Sequence, residues 1–417
     1  MIRSEPHTTA RLVALLGLAF VVMGSYGLAR PTTESLFLAA HSAHALPSVW
    51  LAVAVMTTLV VGIYNRYASA VRLVSLFGAA TLATAAILVL LLVALDRGLA
   101  GAAFALYVWK DIYVIVLVEI FWSFANAVFE IRTARWIYGL VMVAGSLGGV
   151  GANLATHVLA ARFGTVATLW LVVPMLLLVY FGGRVLGRTA HVAPPVDQAR
   201  RPSTLRDSVR VLSESRYLTL LLVLIAVVQV VITLVDYQYN ALLEQAYPQM
   251  DERTGIIGRV YAIIDGGSML LQLATGPVLR ATGVPVALLI IPIFLGSALA
   301  GFLAAPRFLS VAVAKVASKV FDYSVFRAAK EILYIPLSYA EKTQGKALID
   351  MMTYRVAKGG ASLLLLLLAA ASLSRLSGLL ALALILVWWG LTLAIVRRYR
   401  RLVSREDELA PRDEAAT

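Results

Sequence analysis

Residues 311–337 read VAVAKVASKVFDYSVFRAAKEILYIPL, and residues 341–360 read EKTQGKALIDMMTYRVAKGG. The first stretch is long and apolar enough to cross a bilayer, yet it carries Lys315, Lys319, Asp322, Arg327, Lys330 and Glu331. At about 100° per residue, Lys315, Lys319, Asp322, Phe326 and Lys330 fall within an arc of roughly 80°. An ionised side chain at the bilayer centre costs about 2.5–3.5 kcal/mol, so this stripe does not face lipid. It must meet water, partner charges or a bound ligand. We read it as the wall of a substrate path. The alternative stays open: the charges pair with acids on neighbouring helices and only hold a bundle together.

Composition agrees with a membrane protein. Of 417 residues, 60% are hydrophobic and only 14% charged, where soluble chains average about a quarter charged. The expected fold class is an all-α membrane protein. Its twelve spans would be 12–40, 46–68, 71–95, 100–129, 137–160, 165–186, 217–244, 255–278, 285–305, 311–337, 348–373 and 376–396. The segment after Arg11 is too long for the core of a signal peptide, so no cleaved leader is expected. There is no cysteine, which excludes disulfides and thiolate metal sites. His41 and His44 lie at a span end and read as interfacial, so no metal and no cofactor are expected. No His-Glu-x-x-His helix or serine elbow is present, and an enzyme reading has nothing to stand on.

Polar groups interrupt the spans at a few places. The first contains Pro31, which frees a carbonyl, so a bend is expected there. Tyr26, Arg30 and Glu34 are four residues apart and share a face; a local Arg30–Glu34 ion pair is the simplest structural account of them. The fourth span carries Lys110, Asp111 and Glu119. Adjacent residues point about 100° apart, so at least one of Lys110 and Asp111 should seek a partner elsewhere. Residues 130–136, EIRTARW, read as a basic turn, and GSLGGVGAN at 145–153 as small residues that let helices approach. The seventh span shows Thr233, Asp236, Tyr237, Asn240 and Glu244; the eighth, Arg259 and Asp265; the eleventh, Asp350, Arg355 and Lys358.

Basic residues set the topology. With the amino terminus inside, the inner segments hold Arg3 and Arg11, Arg66 and Arg72, Arg132 and Arg135, a cluster at 184–210, and the tail, whereas outer loops keep isolated arginines. Both termini are then cytoplasmic, and this asymmetry accounts for most of the net charge of +13 without any nucleic acid. A Pro- and Arg-rich break at 187–216, with a short amphipathic helix capped by Ser203, separates 1–186 from 217–397; a cytoplasmic tail, 398–417, follows. The glycine–basic turns near Gly62 and Gly276, and the polar breaks at Arg30 and Asp236, recur at similar intervals. Two pseudo-symmetric six-helix bundles of this kind resemble the major facilitator superfamily. That resemblance implies a site between the bundles, lined by spans 1, 4, 7 and 10 and exposed alternately to each side.

A closer likeness lies in residues 330–362. Lys330-Glu331, the turn Tyr334–Leu337, then Lys342, Gly345-Lys346-Ala347, Asp350, Arg355 and Lys358-Gly359 resemble the signature of the nucleotide transporter family, the ATP/ADP translocases of plastids and obligate intracellular bacteria. FWSFAN at 121–126 and LVDYQYNALLEQAYP at 234–248 resemble it more loosely. The resemblance implies exchange of nucleotides across a membrane of bacterial inner-membrane type. Thr33, Lys110 and Asn240 stand where the family pattern has a lysine, a glutamate and a lysine, so the charges that meet phosphate are rearranged.

The candidate substrate contacts are therefore Arg30, Lys110, Lys315, Lys319, Lys330, Tyr26, Tyr237, Asn240 and Lys358, because cations suit phosphate and tyrosines suit a ring or sugar. Gating or proton coupling falls to Glu34, Asp111, Glu119, Asp236, Asp322, Arg327 and Glu331. The expected partners are a nucleotide-like anion and the lipid bilayer, with the chain acting as a monomer. Proton-coupled transport of another solute, and a non-transporting receptor, are the competing readings.

Overall fold

The computed structural model describes residues 6–67, 72–128, 131–189, 205–338, 341–346, 349–373 and 376–409. Every regular element among them is helical. The proposed cap Ser203 lies outside these residues, as do the tail residues beyond 409.

The helices are α1 (Pro6–His41), α2 (Leu46–Tyr67), α3 (Leu73–Asp96), α4 (Ala102–Val128), α5 (Ile131–Phe163), α6 (Thr165–Trp170) and α7 (Val172–Thr189). After them come α8 (Leu205–Glu214), α9 (Arg216–Ala246), α10 (Met250–Ala304), α11 (Phe308–Phe321), α12 (Arg327–Leu333), α13 (Tyr354–Ala370) and α14 (Ser377–Leu409). Eight of the described helices are long and apolar enough to cross a membrane. The 55-residue α10 is broken at Gly283, whose φ of 75° is left-handed, so it comprises two rods. Helical stretches α4, α11–α12 and α13, which carry further ionic groups, come in addition to those eight.

Sequence detail explains the helix ends. Pro174 in the first turn of α7 cannot donate back to Trp170, and the chain breaks between α6 and α7. The tenth span is not one helix: α11 passes into a π-helical segment, Asp322–Phe326, before α12 resumes. It stops at Leu333, ahead of Pro336, so the Tyr-Ile-Pro-Leu motif is a turn. Two further π segments, Glu341–Gly345 and Ile349–Thr353, precede α13. The expected basic turn at 130–136 is corrected: α5 already begins at Ile131, because that stretch contains no Gly or Pro to stop a helix.

The chain divides into two compact units, Met1–Gln198 with Leu243–Met269, and Ala199–Leu242 with Leu270–Thr417. In the first unit α1 runs unbroken through Pro31 and packs along α5. The approach is close enough that a Cβ on Gly148 would collide with the Phe20 carbonyl oxygen, so the 145–153 stretch does bring helices together. Pro31 has no N–H for the Gly27 carbonyl; the Thr156 hydroxyl of α5, which donates to the Ala152 carbonyl at 2.8 Å, also approaches that oxygen, at 3.4 Å. Thr32 and Thr33 turn their hydroxyls back onto the Leu28 and Ala29 carbonyls, both at 2.7 Å. Leu88, Leu92, Leu106, Leu117 and Phe124 fill the interior among α3, α4 and α7.

In the second unit, the Tyr217 hydroxyl at the start of α9 donates to the Leu333 carbonyl at the end of α12, at 3.0 Å. Phe326 of the π segment packs edge-on against Trp388 of α14. These contacts hold α11–α12 against its neighbours and fix which way its charges point.

Candidate functional site

The first unit holds an ionic cluster around α1. Lys110 of α4 is 2% exposed. Its Nζ lies 2.9 Å from Asp111 Oδ1, 3.4 Å from Glu34 Oε1 and 3.9 Å from the centre of the Tyr107 ring. Burying an ammonium costs several kcal/mol, and two carboxylates with an aromatic face offset that cost. As expected, Lys110 finds a partner elsewhere, in Glu34, but it also pairs with Asp111 beside it. The flexible lysine stem spans the angle between the neighbouring positions.

Arg30 does not pair with Glu34 as the local account had it. Its Nη2 lies 3.1 Å from Asp265 Oδ2, and its guanidinium sits 3.5 Å from the Tyr261 ring centre and 5.1 Å from that of Tyr26. Tyr261 donates its hydroxyl to both oxygens of Glu34, at 3.0 and 2.9 Å. Two i,i+4 pairs therefore meet across two antiparallel helix stretches, Arg30/Glu34 on α1 and Asp265/Tyr261 on α10. Asn153 of α5 also donates to Asp265 Oδ2, at 2.9 Å. Tyr26 stands edge-on to Tyr113. Glu119 is exposed and lies more than two turns along α4 from Lys110.

The second unit holds a cluster around Asp236 of α9. Lys319 Nζ lies 2.9 Å from Asp236 Oδ2, and Lys315 Nζ 3.6 Å from Oδ1. Lys315 is 2% exposed and rests 3.9 Å above the Tyr239 ring centre. Lys358 of α13 stands within electrostatic reach of the same carboxylate. Asn240 is buried and turns its amide back onto the Asp236 backbone carbonyl, at 2.7 Å. Tyr237 is buried on the same helix.

The π segment divides the stripe that the sequence placed on one face. Lys315 and Lys319 precede it and meet Asp236. Asp322 accepts from Gln229 Nε2 at 3.4 Å and lies within electrostatic reach of Lys319, Arg327 and Lys330. Arg327 is exposed. Beyond the segment, Lys330 reaches Asp350 at 2.8 Å and Glu331 at 3.9 Å, and Lys346 pairs with Glu331. The signature residues thus tie α12 to the segments that follow it.

Tyr261, Asp265, Asn153 and Tyr107 belong to these clusters and were not among the sequence candidates, whereas Tyr239 was read, like Tyr26 and Tyr237, as a side chain suited to a ring or sugar. Asp265 was visible as an intramembrane acid, and its i−4 relation to Tyr261 matches that of Arg30 to Glu34. Tyrosines at this density in apolar helices carry no such signal. No group of acidic and histidine side chains among the described residues has the arrangement of a metal site.

The TLC ATP/ADP transporter family model matches residues 103–312 and 297–400. The chain is 28% identical over 350 residues to ADP,ATP carrier protein 1 of Chlamydia muridarum, covering 71% of this chain and 64% of that protein. It is 26% identical over 324 residues to ADP,ATP carrier protein 1 of Chlamydia pneumoniae, covering 66% and 61%. The match thus spans somewhat less than two thirds of these relatives. Among solved structures, a bacterial homologue of the iron transporter ferroportin, in an inward-facing state, superposes with a TM-score of 0.67 at 14% identity, over 91% of this chain and 99% of that one. The all-helical fold is like that of this solved transporter, and the chain is a multi-pass membrane protein. The two matched segments take in Lys110, Asp236, Asp265, Lys315, Lys319 and the whole 330–362 signature, and together cover more than half of the sequence. On that basis this chain belongs to the TLC ATP/ADP transporter family, as a divergent member.

Proposed function

We propose that this protein is a secondary transporter that moves a nucleotide, or a related phosphate compound, by alternating access between two six-helix bundles, 1–186 and 217–397. Twelve spans follow if α10 is counted as two rods, α6–α7 as one, α11–α12 as one and Ile349–Ala370 as one. Both termini are then cytoplasmic, and the loop after α9 faces the opposite side. The protein binds and carries its substrate; it does no chemistry on it.

One observation carries the reading: Lys315 and Lys319 share a single carboxylate, Asp236, inside an apolar helix unit. Two ammonium groups gathered at one place suit a phosphate group, and each offers donors to phosphate oxygens. Lys358 adds to the same field. The nucleotide assignment is supported by the family and by relatives whose names are ADP,ATP carriers. Asn240 in place of the family lysine, with its amide committed to its own helix, leaves Lys315 and Lys319 as the phosphate contacts on this side. In the first unit, Arg30 and Lys110 are the substrate-facing cations, and Glu34 and Asp111 respond to their movement. Lys330, Glu331, Lys346 and Asp350 act as a closing ion network rather than as direct contacts.

A thermal-shift screen of the purified protein against nucleotides, sugar phosphates and carboxylates tests the substrate class. ATP or ADP stabilises the wild type, and Lys319→Ala removes that stabilisation; an equal shift in the variant contradicts the assignment.

A second reading has its own observation. Two carboxylates, Glu34 and Asp111, converge on the one ammonium of Lys110. Such an acid-rich pairing is what a proton-coupled carrier uses. Uptake driven by an imposed pH gradient, without any nucleotide response, would favour it.

A further inference from the structure

Arg259 of α10 takes no part in the ionic clusters described above. It lies nine residues past Met250, where α10 starts, about 13 Å along the helix. Arg259 is exposed, and so is Ile263, one turn further on the same face. On the neighbouring α5, the apolar side chains Leu154 and Val158 flank His157 and are exposed too. Both helices are long and apolar enough to cross a membrane, so side chains of this kind face acyl chains. The two meet where α5 has just ended and α10 begins: Asp251 accepts from the Thr165 amide at 2.7 Å. Among the described residues Arg259 has no ion pair. Its Nη2 donates to Nε2 of His157, so that imidazole is neutral, with its proton on Nδ1. The ring lies hard against α10 because position 255 is glycine; a Cβ there would press into it. Glu252, on the same face as Arg259, stands about two turns nearer the helix start.

We infer that Arg259 and His157 form a headgroup site for an anionic phospholipid, in the leaflet that holds the end of α5 and the start of α10. A guanidinium among acyl chains is costly unless it is paired or reaches the membrane surface. Helical side chains lean toward the amino terminus of their helix. The long Arg259 side chain therefore extends back toward that surface, to the level of lipid phosphates. An arginine has five N–H groups in a rigid fork, and His157 takes one of them. Being neutral, the imidazole directs the fork without cancelling its charge. The remaining N–H groups match two oxygens of a phosphodiester, the bidentate geometry that a guanidinium favours. The acyl chains of the lipid then run along Ile263, Leu154 and Val158. A headgroup of net negative charge, as in phosphatidylglycerol, neutralises Arg259, whereas phosphatidylcholine brings a cation of its own to the same place. His157 is a positioning residue, and the glycine at 255 is what lets its ring stand there. The site requires only that α5 and α10 cross the membrane, whatever the protein carries.

The test titrates the purified full chain, stripped of lipid in a neutral detergent, with phosphatidylglycerol or phosphatidylcholine, and follows bound lipid by native mass spectrometry. The wild type should bind phosphatidylglycerol about tenfold more tightly than phosphatidylcholine. Arg259→Gln keeps a donor for His157 but not the charge, and should lose that preference. Arg259→Lys keeps the charge without the fork, and His157→Ala keeps the fork without its support; each should weaken phosphatidylglycerol binding several-fold. Arg184→Gln, which removes the same charge from an exposed position on α7, should leave the preference intact. A wild type with no preference, or an Arg259→Gln variant that binds phosphatidylglycerol as the wild type does, overturns the inference, because the arginine then only reaches for water. Arg259→Lys and His157→Ala variants that both bind as the wild type does overturn the built site in favour of a bare charge. Glycerol 3-phosphate is the competing soluble anion. If it displaces the lipid at equal concentration, the site takes free phosphates and the lipid assignment falls; if it does not, the assignment stands.

Discussion

Lys110 shows what a buried charge demands of its neighbours. Its ammonium is shared by Glu34 and Asp111, and Glu34 is held in turn by Tyr261. Lys110→Met strands the two carboxylates and should cost about 3–5 kcal/mol, read as a large drop in unfolding temperature in detergent. Glu34→Gln keeps an acceptor for Tyr261 and leaves Asp111 on the lysine, so its loss should be only about 1–2 kcal/mol. Asp236 is the counterpart in the second unit. Lys319→Met should lower substrate uptake at least tenfold while leaving Lys315 on Asp236. The ionic residues themselves were legible in the sequence, because charge in an apolar span is rare and costly. Their partners were not. Asp265 is far from Arg30 along the chain, and a helical wheel has no means of telling that a lysine bends back onto the aspartate beside it.

Helices come next, and here small residues and breaks decide the outcome. Gly148 lies against the backbone of α1 at Phe20. Gly148→Val forces the two helices apart and should destabilise by about 1–3 kcal/mol, measured by thermal unfolding. The same change at Gly151, where nothing approaches, should be near neutral. In the second unit, burial alone would raise the Glu341 carboxyl. Hydrogen bonds from the Ser215 hydroxyl and from the Ser338 amide and hydroxyl outweigh it and hold the carboxyl below its ordinary value of 4.5. A group lowered on folding contributes stability above its unfolded value and loses it as the pH falls through its folded one. Protease cutting near residue 341 should therefore increase as the pH falls below about 4.5, and Glu341→Ala should show that increase already at neutral pH. The spans were readable from hydrophobic runs, and the Pro336 turn from its proline. The π segment at Asp322–Phe326 was not, since one extra residue per turn leaves the composition unchanged. It shifts every later side chain round the helix, which is why Lys330 meets Asp350 instead of continuing the stripe of Lys315 and Lys319.

Across the molecule, the two clusters differ in charge balance. The cluster around α1 sets Glu34, Asp111 and Asp265 against Arg30 and Lys110, whereas the ion pairs at Asp236 set Lys315 and Lys319 against that one carboxylate. Phosphate recognition by the second and conformational response by the first is the division of labour that this asymmetry supports. The membrane class, the family and the charged helices that matter were readable from residues 311–360 and from the arginine pattern. The allegiance of residues 243–269 to the first unit was not, because no local pattern marks which bundle a helix end will join. The most direct measurement is counterflow: purified protein in liposomes preloaded with ADP, offered labelled ATP outside. The account predicts transient accumulation of label, abolished in Lys319→Met and absent from liposomes without internal nucleotide. Protein that binds ATP yet shows no accumulation, or a Lys319→Met variant that accumulates label as the wild type does, would contradict it.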